Sequence, residues 1–190
     1  MRLLVFAAFA VAMTGLAGCT TQANVSTGYY DVKGNSARAL DRGLRRNGPM
    51  NGHALASAEL RFRPDVRFAA NPSGQCRVAS ARIRVDAHIT LPRWQERAGA
   101  PADLRKAFDG MAAYARKHEQ VHVEIAEAAA HAMERRLMAL PPQKSCAALE
   151  RKGAAVISEI SKLHNKLQLK FDADEQKRLA AIFASANKRR

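Results

Sequence analysis

The clearest pattern in the chain is a strict alternation running from Ala79 to Leu91. Ala79, Ala81, Ile83, Val85, Ala87, Ile89 and Leu91 are apolar, and Ser80, Arg82, Arg84, Asp86, His88 and Thr90 between them are polar. A period of two without exception predicts a β-strand with one buried and one wet face. Pro92 predicts its end, and we read it as a strand of edge type. Another strand is expected over Ala54–Phe62, ahead of Pro64 and the Asn71-Pro72-Ser73-Gly74 turn, with a short one at Tyr29-Tyr30-Asp31-Val32. Gly34-Asn35-Ser36 opens a short helix from Ala37 to Arg46, stopped by Asn47-Gly48-Pro49.

After Pro101 the period changes. Met111, Ala115, His118, His122, Ile125, Ala129 and Met133 recur in steps of three and four. This predicts a long amphipathic helix to about Leu140, stopped by Pro141-Pro142, with Gly110 as a candidate kink. Leu149, Val156, Ile157, Ile160, Leu163 and Leu167 mark a second helix, and Asp172 to Ala186 a shorter third. The expected class is α+β: a small antiparallel sheet packed against one long helix and C-terminal helices.

Within the long helix lies His118-Glu119-Gln120-Val121-His122, an H-E-x-x-H. Residues four apart on a helix share a face, so both imidazoles can grip one Zn²⁺. The intervening Glu119 then sits where it can take a proton from a metal-bound water. Both histidines fall in the apolar stripe, and burying two such side chains without a partner is costly. A pair of buried histidines satisfied by hydrogen bonds is the competing explanation.

The N-terminus carries a different signal. Basic Met1-Arg2, the apolar run Leu3 to Met13 and Leu16-Ala17-Gly18-Cys19 form a signal peptide ending in a bacterial lipobox. Residues 1–18 are thus expected to be a lipoprotein signal peptide and 19–28 a lipid anchor and tether. Residues 29–187 are the expected domain. With lipid on Cys19 the protein is exported, and Thr20 after it favours the outer over the inner membrane. An oxidising compartment suits a disulfide between the remaining Cys76 and Cys146.

The net charge is +14, or +13 once Arg2 leaves with the signal. The first reading of this charge is a solvated, arginine-rich surface; in an envelope the anionic neighbours would be lipid headgroups and acidic polymers rather than nucleic acid. No basic stretch is interleaved with stacking aromatics, so we expect no nucleic-acid partner.

Tyr29-Tyr30-Asp31-Val32-Lys33-Gly34, the strand end Leu91-Pro92-Arg93-Trp94 and His118 to Ala126 resemble the bacterial family of predicted secreted zinc-dependent proteases, also catalogued as a domain of unknown function. The resemblance covers roughly residues 29–175 and implies a zincin-like domain, export and a zinc site. That family carries Tyr-Asp-x-x-Thr-x-His-Gly near its C-terminal end. Here the stretch reads Phe171-Asp172-Ala173-Asp174-Glu175-Gln176-Lys177-Arg178, which keeps the Asp and loses the Thr, His and Gly.

A catalytic zinc takes three protein ligands and a water, and the helix supplies two. Ala128 excludes the metzincin spacing, His131 points to the far side of the helix, and Glu127 is poorly aimed. Glu150, Glu159, His164, Asp172 and Asp174 remain candidates for the third. Tyr114, His88 and His53 are possible oxyanion donors. The leading expectation is a lipid-anchored zinc metallopeptidase of the cell envelope, with Glu119 as base and a peptide or protein as substrate. The alternative, motivated by the missing third ligand, is a catalytically inactive envelope lipoprotein that keeps the scaffold as a binding or structural module.

Overall fold

The computed structural model describes residues 23–187; the expected signal peptide and Cys19 lie outside the described residues. The strands are β1 (Asn24–Val32), β2 (Ser57–Ala70) and β3 (Cys76–Trp94). The helices are α1 (Ala37–Asn47), the short α2 (Pro49–Gly52), α3 (Ala102–Met138) and α4 (Cys146–Asn187). The class is mixed α and β, with one three-stranded sheet ordered β1-β3-β2. Among the described residues no helix is long and apolar enough to cross a membrane.

Two expectations about the sheet need correction. It is mixed rather than antiparallel, because β1 runs parallel to β3 while β2 runs antiparallel. And β3 is the central strand, not an edge. Strict alternation reports one wet face, which a central strand also has when helices cover only one side of the sheet. β1 begins inside the segment expected to be tether. Asn24 to Gly28 pair with Asp86 to Thr90, and the Ala23 amide donates to Glu127 Oε1 of α3 (2.7 Å). Most of β1 is exposed, so its composition carries no amphipathic signal.

β2 is longer than expected and runs through Pro64. As a sheet edge it tolerates a residue without an N–H. Pro92 likewise lies within β3, beyond the last β2 pair at Ser57↔Thr90. The register shifts between Arg67 and Phe68, whose partners are Ser80 and Val78, leaving Ala79 unpaired. This bulge reverses the phase of β3. Ile83, Val85, Ala87, Ile89 and Leu91 are buried after it, Cys76 and Val78 before it, and Ala79 itself is exposed.

The buried side of the sheet packs on α3. Ile83 and Val85 meet Ala126, Ala130, Met133 and Leu137, with Val156 and Ile160 of α4 closing the same cluster. Ala87, Ile89 and Leu91 meet Ala115 and Val123. Small residues at 115, 126 and 130 let the helix sit close to the strands. Gly110 produces no break; α3 is continuous. α4 is one helix of 42 residues where two were expected. The stretch from Gln168 to Asp172 lacks apolar period but also lacks Gly or Pro, so nothing stops the helix. All four buried clusters and the disulfide fall within the described residues, so this segment carries its own core.

The expected disulfide is present: Cys76 is bonded to Cys146. It ties the start of β3 to the start of α4, beside a bridge between Cys76 and Gln143. With a sequence separation of 70, loop-closure entropy gives about 4 kcal/mol of stabilisation. Replacing both cysteines by alanine is expected to lower the thermal midpoint by about 10 °C. An unchanged midpoint in calorimetry would show that the bridge constrains nothing.

Candidate metal centre

α3 brings His118 and His122 one turn apart on the side facing α4. Their Nε2 atoms lie 3.1 Å from each other. α4 contributes Asp172, whose Oδ1 is 3.2 Å from His118 Nε2 and 3.1 Å from His122 Nε2. These three form the group among the described residues that could hold a metal ion. Tetrahedral zinc with ligand bonds near 2.0–2.1 Å has donor-to-donor edges of about 3.3–3.4 Å. The triangle seen here is within a few tenths of an ångström of that.

The hydrogen bonds around His122 fix its proton. Gln168 Nε2 donates to the backbone oxygen of His122 (3.0 Å), so the amide nitrogen is oriented by a carbonyl that can only accept. Gln168 Oε1 therefore faces His122 Nδ1, which must carry the hydrogen of that short contact. The same amide nitrogen donates to His164 Nε2 (2.7 Å), and His164 Nδ1 donates to Asn165 Oδ1 (3.2 Å). The chain is self-consistent and leaves the His122 Nε2 lone pair directed at Asp172 and His118. His118 Nε2, His122 Nε2 and Asp172 Oδ1 converge there, a set of donor atoms that could hold a cation. Burial lowers the His118 pKa, with His122 adding to the effect and Asp172 opposing it. A neutral imidazole is the form a metal needs. His118 Nδ1 is buried without a hydrogen-bond partner.

Phe171 closes one side of the site, its ring 4.7 Å from that of His118 and 5.1 Å from that of His122. Glu119, only 5% exposed, lines the adjoining cleft. Burial pushes its carboxyl up to about 6; His122 opposes the rise and Asp172 adds to it. Tyr114, one turn before His118, donates to Glu175 Oε2 (2.8 Å). Glu175 also accepts from Arg178 (2.7 Å); Arg178 first and Tyr114 second draw its carboxyl down to about 2. The cleft has a volume of about 640 Å³. It is also lined by Ala56, by Ser57, Ala58 and Leu60 at the start of β2, and by Met50 and His53. Met50 and Asn51 have left-handed backbones (φ 52° and 58°), a strained turn at the rim of the site.

Of the five candidate third ligands, Asp172 alone meets both histidines. His164 is buried one step away behind Gln168. Glu159 pairs with Arg136 (2.7 Å) and Asp174 with Lys170, both exposed. Glu150 is exposed near the start of α4. Tyr114 and His53 line the cleft, whereas His88 lies on the opposite face of the sheet, bonded to Ser26 (2.9 Å). Sequence reasoning missed Gln168. The signal was its position four residues after His164 and four before Asp172, on one face of α4.

Replacing Gln168 by leucine is expected to weaken zinc binding roughly 10–100-fold while the fold is kept, because it frees the His122 ring to turn and to change tautomer. Titration with a zinc indicator measures this, and an unchanged affinity would remove Gln168 from the site.

No curated protein and no solved structure matches the chain. Residues 27–178, well over half of the chain, match a family described as bacterial protein of unknown function (DUF922). That interval contains β3, all of the residues that converge on the centre and the cysteine pair. The resemblance read from residues 29–175 therefore holds at the level of a family whose description names no activity, and the chain belongs to DUF922.

Proposed function

We propose that the protein is a zinc-dependent metallopeptidase of the bacterial cell envelope, anchored through lipid on Cys19. The observation that carries the catalytic part is the convergence of three donor atoms, His118 Nε2, His122 Nε2 and Asp172 Oδ1, at a cleft that Glu119 also lines. His₂-carboxylate is a donor set that leaves one zinc position open for water. Zinc bound there would supply Lewis acidity and a water of lowered pKa. The envelope location rests on the lipobox at residues 16–19 and is supported by the disulfide.

In this reading Glu119 takes the proton of the attacking water and passes it to the leaving amine. Gln168 holds His122 in the tautomer that presents Nε2. The outer edge of β2 has no strand partner among the described residues, and its residues Ser57, Ala58 and Leu60 line the cleft. An extended peptide can add there as a further strand, using main-chain hydrogen bonds that do not depend on sequence. The small side chains of Ala56, Ser57 and Ala58 leave room for it. The alternative of an inactive scaffold drew its motive from the missing C-terminal His and from the lack of an obvious third ligand; the position of Asp172 answers the second of these and favours the catalytic reading.

The test is to incubate the zinc-loaded chain from Thr20 onward with a diverse peptide mixture and follow new amino termini. Cleavage that stops with a chelator and returns with zinc supports the reading. No new termini across the whole mixture would contradict it.

A further inference from the structure

The side of the sheet turned away from α3 and the cleft is open and crowded with arginine. The register sets Glu59 opposite His88, Arg61 opposite Asp86, Arg63 opposite Arg84 and Asp65 opposite Arg82. All of these are exposed except the partly buried Asp86. Three acids are already occupied: Asp86 by Arg63 (3.0 Å), Glu59 by Arg61 (3.8 Å) and Asp65 by Arg67 (3.9 Å). Arg82 and Arg84 make no ion pair or hydrogen bond among the described residues.

Charges on an edge strand guard it against edge-to-edge association, which accounts for Arg61, Arg63 and Arg67 on β2. That explanation does not reach Arg82 and Arg84, which lie on the central strand. Nor does stability explain Arg84, since like charges directly across a sheet, as at Arg63 and Arg84, are destabilising. The chain also enters this sheet here: Asn24, the first residue of β1, is the partner of Asp86. Cys19 precedes Ala23 by four residues, a reach of at most about 14 Å.

We propose that this arginine face is a docking surface for an anionic lipid bilayer. The occupant follows from charge complementarity, from the exposed basic and polar side chains of this face, and from the short reach to Cys19. A single lipid anchor fixes distance but not orientation. The arginine face would set orientation, turning the cleft on the helix side away from the bilayer toward soluble substrates. The interaction is electrostatic, so it weakens as salt rises. It does not depend on the metal centre, and it is tested without any assay of hydrolysis.

The experiment is co-sedimentation of the lipid-free chain from Thr20 with two kinds of vesicle. One is phosphatidylcholine alone and the other is equal parts phosphatidylcholine and phosphatidylglycerol. Binding to the anionic vesicles only is expected. The Arg82→Glu/Arg84→Glu variant should bind them about tenfold more weakly or worse. An Arg38→Glu/Arg42→Glu variant, which makes the same change in net charge on α1, should bind as the parent does. Equal loss in both variants, no preference for anionic vesicles, or binding to soluble polyglutamate without binding to vesicles would each overturn the proposal.

Discussion

Replacing Glu119 by glutamine is expected to reduce peptide hydrolysis by about 10²–10⁴-fold while zinc remains bound, as removal of a general base typically does. Glutamine keeps the size and the position of the side chain but can no longer take a proton. The helix should be undisturbed, because Glu119 makes no hydrogen bond that holds α3 in place and its neighbours Ala115 and Val123 carry the packing. The measurement is hydrolysis by zinc-loaded parent and variant, with metal content determined on the same samples. Equal activity with equal zinc would remove Glu119 from the chemistry. Equal loss of zinc and activity would make it a structural residue of the site instead.

The second large effect is expected at Asp172. Changing it to alanine removes one of three donors, so zinc affinity should fall by more than the roughly 10–100-fold attached to partners that only orient a ligand. Asp172→Asn keeps an oxygen but loses the charge, and should fall between the alanine variant and the parent. Asp172 is partly exposed and contributes to no buried cluster, so neither change should lower the unfolding midpoint appreciably. A competition titration against a zinc indicator reads both. Parent-like affinity in Asp172→Ala would mean that the carboxylate is a bystander and that the third donor lies elsewhere.

The parts of the molecule legible in the sequence were those with a periodic apolar pattern. The strand over residues 79–91, α3 and the inward position of both histidines follow from spacing alone. The disulfide followed from counting cysteines in a chain expected to be exported. The order of the sheet did not follow, because alternation reports which face is wet and says nothing about neighbours. β1 was partly hidden because its first residues, Asn24, Ser26, Thr27 and Gly28, are those of a tether; pairing with β3 overrides their low strand propensity. The bulge at Ala79 was invisible for a related reason. An apolar residue there continues the alternation in sequence while lying on the exposed side in space.

At the site the limit was different. The two candidate ligands on one helix are set by a spacing of four, but the third comes from 50 residues downstream, where only the packing of α4 on α3 selects it. Reading α4 as two helices hid this. In one continuous helix His164, Gln168 and Asp172 stand at successive intervals of four and share a face, so all three meet α3 together. Gln168 is an uncharged amide, a residue type that motif searches for metal sites pass over.

The most direct test of the central claim is the zinc content of the purified chain from Thr20 onward, by elemental analysis, beside its His118→Ala and His122→Ala variants. One zinc ion per chain in the parent and none in either variant is the result expected here. An intact chain that takes up no zinc even after reconstitution would contradict the account, and would leave the two histidines as core residues held by Gln168 and Asp172.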